Sequence, residues 1–116
     1  MTNVEIVQAV TRAFVENRRD QEVLDTYFAP DFEHTANGVR SDLQGYASHL
    51  NRYMERYEHL SIPSWDELFA ADDNVVAAYT LKARTKEGRE EDLAVMAVWR
   101  LAGGKVVALR EVSARP

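Results

Sequence analysis

The side chains in this sequence best suited to moving a proton or holding an oxygen are His34, His49, Glu111 and a set of tyrosines led by Tyr46 and Tyr53. His34 stands in the stretch "DFEHTANG", residues 31–38. Side chains alternate along a strand, so Phe32, His34 and Ala36 share one face. A core-facing Phe32 therefore takes His34 inward with it. A desolvated imidazole is a workable general base near neutral pH. The competing role for such a ring is structural, bonded to a backbone carbonyl beside the turn. His49 lies three residues after Tyr46 and four before Tyr53, so on a helix the three line one edge. Glu111 is set among apolar neighbours in "VVALREV". Alternation groups it with Val107 and Leu109 and sends Arg110 the other way with Val106 and Ala108. One of these two charges must face a covered side, and a bulge would decide which. An inward Glu111 could orient a histidine or act as acid or base itself. An outward one would serve an edge or an ion pair between subunits.

Further candidates are less pointed. Tyr79 and Trp99 join Tyr46 and Tyr53 as linings of a pocket, with ordinary core as the competing role, and Asn37, at the turn, is a further ligand-binding candidate. Asp66 and Glu67 pose the same inside-or-outside question, with Trp65 and Phe69 on the Glu67 side. His59, beside Glu58 just after a helix, is expected at the surface. Metal binding is not expected. Neither a helical i, i+4 histidine pair nor His-x-His occurs, and with no cysteine no thiolate can complete a zinc site.

The elements that must position these groups follow from hydrophobic period and capping signals. "TNVE" at residues 2–5 has capping-box spacing, and Ile6, Val7, Val10, Ala13 and Phe14 follow at helical steps, predicting a helix to about residue 17. Asp20 can cap a second, shorter helix with Val23, Leu24, Tyr27 and Phe28 on one stripe. Pro30 is expected to end it, because the residue before proline is pushed out of the α region. "DFEHTA" then reads as a short strand, and Asn37-Gly38 as a turn. Ser41 and Gln44 have capping-box spacing before a long helix, whose stripe is Leu43, Tyr46, Ala47, Leu50, Tyr53, Met54 and Tyr57. From Leu60 the period changes to two. "LSIPSWDELFAA", "NVVAAYTLKART", "EDLAVMAVWRLA" and "KVVALREVSA" predict four strands joined by short turns, an antiparallel meander. Helices first and an antiparallel sheet after them make an α+β fold, with the sheet curled around the helical stripes.

Bulk properties bound the rest. A length of 116 residues predicts one domain, residues 1–116, and 46% hydrophobic with 28% charged residues suits a chain with a real core and a solvated surface. A net charge of -5 argues against nucleic acid and anionic membrane surfaces as partners. No apolar run approaches the roughly 20 residues that span a bilayer. The first residues lack the basic-then-apolar pattern of a signal peptide, so a cytoplasmic location is expected. On the strand at residues 93–101, Leu93, Val95, Ala97, Trp99 and Leu101 form one face. Ala94, Met96 and Val98 make the other largely apolar too. Both faces then need cover, and a second copy of the chain is the expected cover for the outer one, with a more fully wrapped monomer as the competing explanation.

The order of elements resembles the nuclear transport factor 2-like superfamily, and more narrowly the SnoaL-like polyketide cyclase group. The residues that carry the likeness are "YFAPDFEHTANG", "YASHLNRY" on the long helix, and "AGGKVVALREV" entering a last strand. The resemblance implies a cone-shaped half-barrel of the cystatin type, with an apolar ligand held between long helix and curved sheet, and homodimers packed through the sheets. It also implies that a histidine at His34 and an acidic residue on the last strand, here Glu111, belong to the site. Ketosteroid isomerases of this fold place an aspartate base near the first short strand. "HTANG" offers no acid there, which argues against that chemistry. Sites of the scytalone dehydratase kind use paired histidines with tyrosines, a composition that His34, His49, Tyr46 and Tyr53 share. The function so implied is cofactor-independent proton transfer, of cyclase, isomerase or dehydratase type, on a small apolar carbonyl or polyketide-like compound. His34 would be the base or acid, His49 and the tyrosines would position an oxygen, and Glu111 would assist. The alternative is a non-catalytic ligand-binding or dimerisation module of the same fold.

Overall fold

The computed structural model describes residues 1–16 and 21–114 of the chain. Helix α1 spans Asn3–Val15. The Thr2 hydroxyl accepts from the Glu5 N–H at 3.1 Å and the Glu5 carboxylate accepts from the Thr2 N–H at 2.8 Å, the reciprocal pair predicted from "TNVE". Ile6, Val7, Val10 and Ala13 are its buried stripe. The expected cap at Asp20 lies outside the described residues. Helix α2 spans Gln21–Tyr27 and buries Val23 and Leu24.

Strand β1 runs Phe28–Ala36, so Pro30 lies inside a strand and does not end the helix. Phe28 leaves the helical stripe to pair beside Val106 of the last strand, and the pairing is irregular between Phe28 and Glu33. That irregularity spares Pro30 the hydrogen bond it cannot donate. Beyond it the alternation holds: Phe32 and His34 are buried while Asp31 and Glu33 are exposed. Asn37 and Gly38 turn the chain with φ of 49° and 84°, the left-handed conformations of a tight hairpin. Strand β2, Val39–Ser41, returns against β1 and puts Ser41 opposite His34.

Helix α3 spans Leu43–Arg56, and its cap is Asp42 rather than Ser41. The Asp42 carboxylate accepts from the Gly45 N–H at 2.8 Å, which leaves Ser41 to finish β2. A Cβ on Gly45 would come within 2.8 Å of the Ser41 Cβ, so only glycine permits this tight strand-to-helix passage. Tyr57 has left the helix and opens β3, Tyr57–Ser61. Its hydroxyl donates to Glu91 at 2.7 Å, and Arg56 binds the same carboxylate at 2.8 Å, tying the end of α3 to the sheet.

The predicted strand "LSIPSWDELFAA" is two strands. After β3, Pro63 falls in a corner, and β4 resumes at Trp65–Ala71. Both pair with β5, Asn74–Thr85, at different stretches of its length. Strands β6, Glu90–Ala102, and β7, Lys105–Ala114, complete the antiparallel run. The sheet has seven strands in the order β2-β1-β7-β6-β5-β3, with β4 also on β5. It is open, and mixed rather than antiparallel throughout, because β1 runs parallel to β7. The helices pack on its inner face, which makes the fold α+β. The inner faces of β5 and β6 carry Val75, Ala77, Leu81, Leu93, Val95, Ala97, Trp99 and Leu101, all buried.

A bulge in β7 sets the site. Arg100 pairs opposite Ala108 and Leu101 opposite Val106, so Val107 is the extra residue. The alternation restarts after it. Val106 and Leu109 both face inward and are buried, and Glu111 follows Leu109 to the inner face while Arg110 is exposed. Simple alternation, which groups Glu111 with Val107, is broken at that residue. A slip between Trp65 and Glu67 does the same in β4. Trp65 packs on Tyr79, whereas Asp66 and Glu67 are exposed and Phe69 faces outward.

Candidate active site

Between α1, α3 and the inner face of the sheet lies a cavity of about 50 Å³. From α1 come Val10 and Phe14; from α3 come Tyr46, His49 and Tyr53. The sheet contributes Tyr79, Trp99 and Glu111. Most of the wall is apolar, and Glu111 is its one carboxylate. His49 and Tyr53 also line an adjoining surface cleft, about 300 Å³, with Arg52 and Arg56 at its edge. The cavity and the cleft share His49 and Tyr53 as a common wall.

His34 does not line the cavity. It is 2% exposed and stands behind Glu111, with its Nε2 3.0 Å from Glu111 Oε2. On the other side its Nδ1 is 3.4 Å from the Ser41 hydroxyl, a long contact supplied by the β1–β2 hairpin. With Nε2 carrying the hydrogen, the ring donates to the carboxylate and Nδ1 is left to accept from Ser41. Rings hold the imidazole in place: Tyr46 at 4.7 Å, His49 at 5.6 Å and Phe32 at 6.4 Å between centroids. The arrangement fixes one oxygen of Glu111 and leaves the other free of any side-chain partner among the described residues.

Titration behaviour follows from burial and from the Glu111 charge. Desolvation, and then the nearby carboxylate, push the Tyr46 phenol well above its ordinary range. Tyr79 is raised by the same two causes in the same order. Tyr53 is raised chiefly by desolvation. All three therefore keep their protons at neutral pH and can only offer O–H donors or neutral acceptors. His49 is shifted down, first by desolvation and then by His34 and Arg52, against an opposing pull from Glu111. It is a neutral imidazole at the rim.

His34, His49, Glu111, Tyr46 and Tyr53, far apart in sequence, are thus brought together, and Tyr79 and Trp99 face the same space. Asn37 is not brought there. Its side chain accepts from the Ser113 N–H at 3.0 Å, and its own N–H donates to the Glu111 carbonyl at 3.0 Å, so it staples the turn to β7. His59 is exposed. Sequence reasoning missed Ser41, hidden by its resemblance to a helix cap, and the α1 residues Val10 and Phe14, whose helical stripe reads as plain core. Among the described residues no three His, Asp or Glu side chains are grouped to hold a metal ion. No described helix is long and apolar enough to cross a membrane.

Comparison with known proteins bears on the fold and the family. A sequence profile of the SnoaL-like domain matches residues 7–109. None of the curated proteins compared matches the chain. Among solved structures, IdmH, a proposed polyketide cyclase from Streptomyces antibioticus, superposes with a TM-score of 0.83 at 14% identity, covering 97% of this chain and 92% of its own. A proposed polyketide cyclase from Xanthomonas campestris pv. campestris gives 0.80 at 21% identity, over 93% and 87% of the two chains. A nuclear transport factor 2-like protein of unknown function from Burkholderia pseudomallei gives 0.77 at 20%, over 96% and 90%.

Proposed function

The chain belongs to the SnoaL-like domain family, and from that premise we propose that it catalyses cofactor-independent proton transfer on a small, largely apolar carbonyl compound. The observation that carries the reading is the single carboxylate in an apolar cavity, Glu111, backed by a buried histidine at 3.0 Å. Its free oxygen takes a proton from the carbon next to the carbonyl. The electron pair moves onto the carbonyl oxygen, and phenolic O–H groups of Tyr46, Tyr53 and Tyr79 can donate to the enolate so formed. Return of the proton to the same carbon completes an exchange, and its delivery to the γ-carbon of a conjugated enone's dienolate completes an isomerisation; attack of the enolate carbon on a second carbonyl, with the proton delivered to the new alkoxide, completes a cyclisation. His34 is a positioning residue: it holds one carboxylate oxygen so that the other faces the substrate. This exchanges the parts first expected of His34 and Glu111. His49 stands at the entrance and guides the substrate oxygen.

The cavity volume bounds the substrate. One water needs 10–15 Å³ by this measure, so about 50 Å³ admits only a molecule of a few heavy atoms unless the α3 wall moves. A small ketone is the matching probe. In D₂O the protein should accelerate deuterium incorporation at the α-carbons of cyclopentanone, read by NMR, and Glu111→Gln should abolish the acceleration. No acceleration by the unaltered protein leaves the non-catalytic binding module as the better reading.

Dimerisation through the sheet is part of the same proposal. The outer faces of β6 and β7 expose Met96 at 63%, Val98 at 41% and Val112 at 55%, an apolar patch that no element among the described residues covers. A second copy presenting the same patch is the self-complementary cover. Sedimentation equilibrium should give twice the chain mass, and Met96→Glu should shift the population to monomer; a monomer at all concentrations refutes it.

A further inference from the structure

Trp99 has a feature that neither the core nor the proton-transfer reading uses. It is 4% exposed, lines the cavity, and its indole Nε1 is buried with no hydrogen-bond partner among the described residues. It is the only buried side-chain nitrogen or oxygen among the described residues left in that state. An indole N–H can only donate, so it cannot satisfy itself by changing role as a hydroxyl does. A buried unpaired donor is costly, and native proteins carry few of them. The position does not need a donor for packing. Trp99 sits opposite Val75 on one side and Leu109 on the other, among residues for which an all-carbon ring would serve.

The acceptors of the wall are placed for other partners. Glu111 has one oxygen committed to His34, and the Thr11 hydroxyl is bonded to the Val7 carbonyl at 2.8 Å. The phenols of Tyr46, Tyr53 and Tyr79 make no hydrogen bond among the described residues and add donors of their own. None of these oxygens bonds Nε1, so an acceptor carried by a bound molecule is the partner the site leaves open to it.

We propose that the Trp99 indole N–H is a substrate-binding donor, recognising an oxygen acceptor of the ligand, a carbonyl or enolate oxygen, on the sheet side of the cavity. The inference rests on the reading of this cavity as the substrate site, but not on any catalysis there. It assigns the specificity for an oxygen-bearing ligand over a hydrocarbon of the same shape to one residue.

The test uses cyclopentanone and methylenecyclopentane, which differ by C=CH₂ in place of C=O. The chain has two tryptophans, and Trp65 lies outside the cavity as an internal control. In ¹H–¹⁵N spectra of the intact protein, cyclopentanone should move the Trp99 indole signal downfield and leave that of Trp65 in place. Methylenecyclopentane should produce no downfield shift. Trp99→Phe, which keeps an aromatic ring, should lower the preference for cyclopentanone over methylenecyclopentane several-fold, up to about tenfold. The proposal is overturned if cyclopentanone binds without moving the Trp99 signal, if both compounds move it alike, if Trp99→Phe leaves that preference unchanged, or if the ketone does not bind. The outcome separates from that of the catalytic reading. A Trp99 shift with no α-proton exchange retains this inference and removes the catalysis; exchange with unaltered KM and kcat in Trp99→Phe does the reverse.

Discussion

Replacing His34 by Phe tests whether the histidine and Glu111 act as one unit. Phenyl keeps a ring edge-to-face with Tyr46 at 4.7 Å and stacked on Phe32 at 6.4 Å, so packing is largely preserved. What is lost is the 3.0 Å bond to a carboxylate whose side chain is 22% exposed. Hydrogen bonds to charged groups contribute about 1.5–3 kcal/mol, and the 3.4 Å contact to Ser41 adds little. Glu111 regains some water through the cavity, so a loss of about 2 kcal/mol is expected. For a domain near 100 residues that lowers Tm by roughly 8 °C, at about 4 °C per kcal/mol. Glu111→Leu should cost a similar amount by leaving the imidazole unsatisfied. The double variant should cost much less than the two losses added, because both polar groups are then gone together. Urea denaturation of the four proteins gives the coupling directly, and about 2 kcal/mol is expected. Additive losses, with coupling below about 0.5 kcal/mol, would refute the pairing and with it the positioning role.

Two further outcomes follow from single residues. His49 has a lowered pKa in the folded protein, so in the range just below about 6.5 the unfolded chain takes up the proton first and stability falls as pH falls, levelling once the folded-state pKa is passed. His49→Gln should remove this contribution, so the variant gains on the unaltered protein between pH 7 and pH 5 in urea titrations; a pH-independent difference would contradict the shift. At the β1–β2 turn, Asn37→Ala should cost about 1–2 kcal/mol, because alanine disfavours φ of 49° and leaves the Ser113 N–H without its acceptor, whereas Asn37→Gly should cost less by relieving the first of these; thermal melts that rank the two the other way would count against the stapling role.

Local signals in the sequence carried the element order and the inward face of "DFEHTA". The Thr2 cap and the Asn37-Gly38 turn each depend on a few adjacent residues and are found in the structure, while the change of period expected at Leu60 comes three residues earlier, at Tyr57. What the sequence hid was non-local. Phe28 and Pro30 look like a helix end until β7 is there to pair with Phe28 and draw the chain into a strand. The parallel pairing of β1 and β7 joins residues about 75 positions apart, and no local pattern records it. Val106 and Val107 are both apolar, so nothing in their types shows which is the extra residue, and the face of Glu111 hangs on that choice. The site was legible as a set of residues and not as a geometry: His34 faces inward as alternation requires, yet Glu111, one strand across, stands between it and the cavity.

The central claim is that Glu111 moves a proton on a bound ketone and His34 holds it in place. Rates of α-deuteration of cyclopentanone in D₂O, measured side by side for the unaltered protein, Glu111→Gln and His34→Phe, test it most directly. The account predicts a loss of at least about 10²-fold in Glu111→Gln and a smaller loss, mainly in kcat, in His34→Phe. Equal rates in the unaltered protein and Glu111→Gln, or a larger loss in His34→Phe than in Glu111→Gln, would contradict it.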